Sequence, residues 1–189
     1  MKQSNTSRFA YFAGLLDGEG TIGIYCKNDM DVNFPGNGRG LSSYKAMISI
    51  CQKRGPMIDW LYGNFGGTIY KKSQVTVAPN TYKKYEHEMY EWKLTSYEQI
   101  VYILKRALPF LTEKKNQAEL MIEFIHKHNS VKQTGIKKGF ILEIPKDVLE
   151  NWKRYAEETS IKMKELKRNF VPCAAVETKL FKTSTDVKL

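Results

Sequence analysis

The stretch Tyr11-Phe12-Ala13-Gly14-Leu15-Leu16-Asp17-Gly18-Glu19-Gly20 joins a helical pattern to a strand pattern, and the rest of the chain is organised around that joint. Upstream, Phe9, Phe12, Ala13 and Leu16 fall at helical spacing from about Ser7, with Thr6 or Ser7 as the cap. Downstream, Thr21 to Lys27 alternates: Ile22, Ile24 and Cys26 share one face, and Thr21, Gly23, Tyr25 and Lys27 the other. Ala10, Ala13 and Gly14 lack branched side chains, so a helix carrying them admits a second backbone closely. Two such helices packed together would bring two copies of Glu19 side by side at their tips. Like charges that close are costly unless a cation shares them, and a hard, oxygen-liganded ion such as Mg²⁺ suits carboxylates.

Working outward, a polar, Gly-rich loop covers residues 28–43, and Tyr44 to Gln52 alternates again, with Ala46, Ile48 and Ile50 opposed to Lys45, Met47 and Ser49. Pro56 opens a helix carrying Ile58, Leu61, Tyr62 and Phe65, which Gly66-Gly67 ends. A second hairpin runs from Thr68 to about Ala78 and from about Tyr85 to Leu94, with Thr68, Tyr70 and Lys72 on one face. Ser96 to Gln99 reads as a capping box before the stripe Ile100, Ile103, Leu104 and Ala107. Pro109 separates that helix from another over Thr112–Lys127. The order α-β-β-α-β-β-α-α predicts an α+β fold, an antiparallel sheet with helices on one face. Beyond it, residues 133–139 read as a basic loop, Pro145 opens a helix with Val148, Leu149, Trp152 and Tyr155 on one side, and a Lys-rich segment follows over 160–169. The expected division is a core over residues 1–129, a helical extension over 130–170 and a polar tail over 171–189.

With 30 Lys and Arg against 20 Asp and Glu, the net charge of +10 on 189 residues favours polyanionic partners, nucleic acid first and an anionic membrane surface second. No apolar run approaches the roughly 18–20 residues of a membrane span, and neither a cleaved leader nor a membrane partner is expected. Cys26, Cys51 and Cys173 are odd in number and lack the spacing of a zinc or redox pair, which predicts an intracellular, reducing compartment and no structural metal.

The segment Phe12 to Gly20 resembles the nine-residue motif of the LAGLIDADG homing endonucleases, identical at Ala13, Gly14, Leu15, Asp17 and Gly20. Pro109 to Ala118 resembles the segment that opens the last core helix of that family. The resemblance implies an αββαββα core with a saddle-shaped antiparallel sheet. It implies that Glu19, at the eighth motif position, is the catalytic metal ligand, with the Gly18 carbonyl beside it and Mg²⁺ bound, Mn²⁺ substituting. Many members carry Asp there. Asp17 matches the other acidic position, where a cap or interface role is the more usual one. Gln52 and Lys114 match supporting positions, one orienting solvent and one placing a cation at the cleavage centre, with Lys115 adjacent.

One motif per chain implies a homodimer, with Ala10, Ala13, Gly14 and Asp17 at its interface, on a long pseudo-palindromic duplex. Tyr25, Lys27, Lys45, Met47, Ser49, Thr68, Tyr70 and Lys72 then face DNA, and the implied activity is double-strand, metal-dependent phosphodiester hydrolysis leaving 3′ overhangs. An encoding intron or similar element is implied too. Two alternatives share the fold: a maturase that binds its own intron RNA, and a DNA-binding protein without cleavage.

Overall fold

The computed structural model describes residues 5–26, 44–53, 55–77, 84–138 and 141–168. Helix α1 (Asn5–Glu19) runs directly into β1 (Gly20–Cys26), followed by β2 (Tyr44–Lys53), α2 (Pro56–Phe65), β3 (Thr68–Val77) and β4 (Lys84–Leu94). Then come α3 (Tyr97–Ala107), a 3-10 turn (Leu108–Phe110), α4 (Lys115–Gln133), the short strands β5 (Ile136–Lys138) and β6 (Ile141–Glu143), and α5 (Lys146–Arg168). The expected α+β order is the observed one, and β1 to β4 form an antiparallel sheet in the order β1-β2-β4-β3.

One sheet face is the floor of the core. Ile22, Ile24, Ala46, Ile48, Ile50, Trp92 and Leu94 lie there, all nearly inaccessible, beneath Phe9, Phe12, Leu16, Ile58, Leu61 and Leu104 from the helices. The turn between α2 and β3 depends on glycine. Gly66 and Gly67 have φ of 66° and 87°, a region that a Cβ disfavours. A Cβ on Gly67 would also fall 2.5 Å from the Lys93 carbonyl oxygen. The Trp92 indole donates to the Gly66 carbonyl at 2.7 Å, so the same turn satisfies a buried donor.

Four local expectations are corrected. Tyr62 is 54% exposed, because the ten-residue α2 buries only the narrower stripe Ile58, Leu61 and Phe65. Ser96 stands at the N-cap of α3 without a side-chain cap bond; its carbonyl accepts from Ile100 at 2.9 Å, and the Tyr97 hydroxyl pins the first turn by donating to the Tyr44 carbonyl at 3.1 Å. The basic segment 133–139 contains β5, which pairs with β6; Ile136 and Ile141 favour strands. The helix expected over Thr112–Lys127 begins at Lys115 and continues to Gln133.

The Lys-rich segment after residue 160 is not separate. It is the second half of α5, 23 residues long, in which Trp152, Ala156 and Met163 are buried. This helix packs on α4 and along β1. Since β1 is an edge of the sheet, α5 shields a strand that would otherwise offer pairing groups to another chain. The Ser160 hydroxyl donates to the Ile24 carbonyl at 3.2 Å, fixing that contact. The expected tail over 171–189 lies outside the described residues.

Candidate functional site

The acidic pair at the end of α1 divides its work. Asp17 faces inward and its carboxylate accepts the backbone N–H groups of Thr112 at 2.8 Å and Lys114 at 2.9 Å. These groups precede α4, so a carboxylate of α1 satisfies donors at the start of a different helix. The Lys114 ammonium returns the contact by donating to the Asp17 carbonyl. Glu19 is exposed at the tip. Burial pushes the Lys114 ammonium below its ordinary pKa, and the negative charges of Asp17, Glu113 and Glu19 act against that shift. Glu19 therefore lies within the electrostatic reach of Lys114.

The fold sets this junction closely. A Cβ on Gly20 would lie 2.7 Å from Leu16 Cα, so only glycine allows the helix to turn into the strand here. Gly20 pairs with Ile50, and Gln52 lies two residues further along β2, half-buried and paired with Tyr90. The register brings Gln52 abreast of the α1–β1 junction, on the core-facing side of the sheet.

The proposed interface residues behave differently from one another. Ala10 is half-buried and Gly14 exposed, and a Cβ on Gly14 would meet nothing within 4 Å. Ala13 is fully buried in the chain's own core and presents no surface to a second copy, which corrects the expectation for that residue. It lies one residue off the Ala10–Gly14 face, and the helix rotates it onto the sheet. Asp17 is occupied by the α4 contact.

The sheet's other face holds Tyr25 and Lys45 as a cross-strand pair, then Met47, and on the far strands Tyr70 and Lys72. Tyr25, Lys45, Thr68, Tyr70 and Lys72 are exposed and Met47 is half-buried. Ser49 is a correction: it points to this face between Thr21 and Lys93 but is only 6% exposed, covered by its neighbours. Lys27 lies outside the described residues.

The sequence reading missed the centre of this face. Glu91 is 5% exposed, and its carboxylate meets the ammonium of Lys72 at 2.5 Å and that of Lys93 at 3.1 Å. Burial pushes its carboxyl up, and the two ammonium groups outweigh that, leaving its pKa below the ordinary carboxylate range. Lys93 also lies 5.1 Å from the Tyr70 ring centroid. The alternation Glu91-Trp92-Lys93-Leu94 carried the signal in β4.

Whether the tip suits a cation can be judged from its donors. Glu19 offers an exposed carboxylate, and it ends a helix whose last carbonyls have no intrahelical donor and lie at the negative pole. An all-oxygen set at such a place fits a hard divalent ion. No group of three or more His, Cys, Asp or Glu that could hold a metal ion converges among the described residues.

No family description and no curated protein matches the chain. Among solved structures, the archaeal intron-encoded homing endonuclease I-Vdi141I, complexed with DNA, aligns with a TM-score of 0.58 at 14% identity over 89% of each chain. The homing endonuclease I-CvuI, in complex with its target, aligns with a TM-score of 0.56 at 20% identity over 93% of each. The LAGLIDADG enzyme I-GzeII, in complex with its DNA target, aligns with a TM-score of 0.55 at 16% identity, over 84% of this chain and 44% of that one. At such identities the likeness is one of fold, and the fold here is that of the LAGLIDADG homing endonucleases.

Proposed function

We propose that this chain is a site-specific, double-strand DNA endonuclease that acts as a homodimer. The observation that carries the reading is Glu19, exposed at the tip of α1 beside a lysine that Asp17 locks in place. The excess of ten positive charges and the lysine-bearing open face of the sheet support a duplex as the partner. The exposed Gly14 beside Ala10 supports close packing of a second copy, which would place the second Glu19 and complete the carboxylate set.

Glu19 and the Gly18 carbonyl would hold Mg²⁺ or Mn²⁺, which supplies Lewis-acid stabilisation of phosphate charge and a more acidic water when bound. The chain's own residues supply the rest. Lys114, half-buried and tethered to the Asp17 carbonyl, presents a fixed positive charge where the phosphate becomes more negative, a contribution that needs no reorganisation. Asp17 acts through Lys114 as its positioning residue. Gln52 orients water at the junction. The open sheet face reads the duplex in the major groove, and bending of the target contributes at positions no side chain reaches.

The test is cleavage of a randomised duplex library with Mg²⁺ by the protein and by its Glu19→Gln variant, with the ends sequenced. Recurrent staggered cuts with 3′ overhangs by the first and none by the second are expected. Enrichment of bound duplex without cuts in either Mg²⁺ or Mn²⁺ would replace the nuclease with a binding protein, and preferential retention of structured intron RNA would favour the maturase.

A further inference from the structure

A cleft of about 220 Å³ opens beside the α1–β1 junction, lined by Gly20, Thr21, Lys114, Gln117 and Lys167. Three separate parts of the chain meet there: the start of β1, the start of α4 and the last turn of α5. The nuclease reading uses Lys114 and leaves Gln117 and Lys167 without a role.

Gln117 is 4% exposed, and its side-chain nitrogen donates to the Leu166 carbonyl at 3.5 Å. Its side-chain oxygen has no hydrogen-bond partner among the described residues. A buried acceptor left in this state costs about 1–3 kcal/mol, which a donor from the neighbouring Lys167 ammonium would offset. Lys167, the next residue after Leu166, is half-buried, with its ammonium 5.5 Å from the centroid of the Tyr25 ring. It forms no ion pair among the described residues. Burial pushes its pKa below the ordinary value, and the charge of Lys164 pushes the same way. Lys167 is thus a second partly desolvated ammonium beside Lys114, and no carboxylate is among the residues lining the cleft. An ammonium carries three donors; one can meet the Gln117 oxygen while the others remain directed at an anion.

Resting on the nuclease reading, we propose that this cleft binds a phosphodiester of the DNA backbone next to the cleavage centre, with Lys167 as its cation and Gln117 as its positioning residue. Tyr25 and Thr21 belong to the open face of the sheet, so a strand lying on that face would reach the cleft at its edge. The helix α5 then has a second task besides covering β1. It delivers a charge to the reacting end of the core.

The experiment measures binding of a random-sequence duplex of defined length by the full chain between about 50 and 200 mM salt. Lys167→Met, which keeps the stem over Tyr25, is compared with Lys167→Arg and with Lys162→Met, an exposed lysine five residues away on α5. The expected result is a salt slope shallower by about two for Lys167→Met, one contact for each chain of the dimer, restored by Lys167→Arg and left unchanged by Lys162→Met. Gln117→Leu is expected to weaken binding less and to leave the slope near that of the parent, as positioning through Lys167 requires. An unchanged slope in Lys167→Met, or an equal loss in Lys162→Met, overturns the cleft proposal and leaves the nuclease reading intact. No duplex binding by the unsubstituted protein overturns both.

Discussion

Asp17 and Lys114, 97 residues apart, hold each other at two points: the Asp17 carboxylate accepts the Lys114 backbone N–H at 2.9 Å, and the Lys114 ammonium donates to the Asp17 carbonyl. The carboxylate also takes the Thr112 N–H at 2.8 Å. This makes the end of α1 and the start of α4 one unit, so a change at Asp17 should be felt at Lys114, the lysine proposed to serve the cleavage centre. Asp17→Ala is expected to lower stability by about 1–3 kcal/mol, the loss of charge-assisted bonds tempered by partial exposure. It should also slow single-turnover cleavage while leaving duplex affinity close to that of the parent. Chemical denaturation and rapid-mixing cleavage assays check the two parts. Weaker binding with an unchanged cleavage rate would place Asp17 in DNA recognition instead.

Gly14 gives the cleanest separation of monomer from dimer. Within one chain nothing lies within 4 Å of where its Cβ would stand. Gly14→Ala should therefore stabilise a lone helix by about 0.5–1 kcal/mol. If two helices pack there, Gly14→Leu should abolish the dimer while the monomer stays folded. Sedimentation and thermal melting at several protein concentrations distinguish the cases, and a Gly14→Leu protein that remains dimeric would move the interface elsewhere.

Glu91 stands at the centre of the lysine-bearing face of the sheet, and its carboxylate holds the ammonium groups of Lys72 and Lys93. Glu91→Gln releases Lys72 and Lys93. Affinity for random duplex should rise, the salt slope should steepen by about two for each chain of the dimer, and discrimination among sequences should fall. Competition binding of random and selected duplexes measures all three. An unchanged slope would mean that both lysines already contact phosphate in the parent protein.

The order of the core was legible because its two periods are strong. Ile22, Ile24, Ala46, Ile48 and Ile50 hold alternate positions along their strands, and every one of them is buried. The short segment Phe12 to Gly20 was legible too, since glycine at position 20 leaves the backbone little choice. What escaped depended on contacts distant in sequence. Nothing near Asp17 announces that its acceptors serve Thr112 and Lys114, and nothing in the lysines after residue 160 reveals that one of them returns to β1. Ala13 misled because a small residue in a helix looks the same whether it faces its own sheet or a second copy; only the direction of burial separates it from Gly14.

His128 should set a pH dependence that is independent of cleavage. Its ring lies 4.7 Å from Tyr97 and 5.4 Å from Trp152, measured between centroids. Burial pushes its pKa below the ordinary 6.5, Lys132 pushes the same way, and the hydrogen bond to Asn129 acts in opposition. The unfolded chain therefore binds this proton more readily than the folded one. The neutral ring's contribution is complete above the ordinary histidine pKa and declines as pH falls from there toward the lower folded value. Urea denaturation at about pH 7.5 and about pH 5.5 should show the parent losing stability at the lower pH. His128→Phe keeps an aromatic ring between Tyr97 and Trp152 and removes the proton site, so its loss over the same interval should be smaller. Equal losses in the two proteins would assign the pH dependence to the carboxylates.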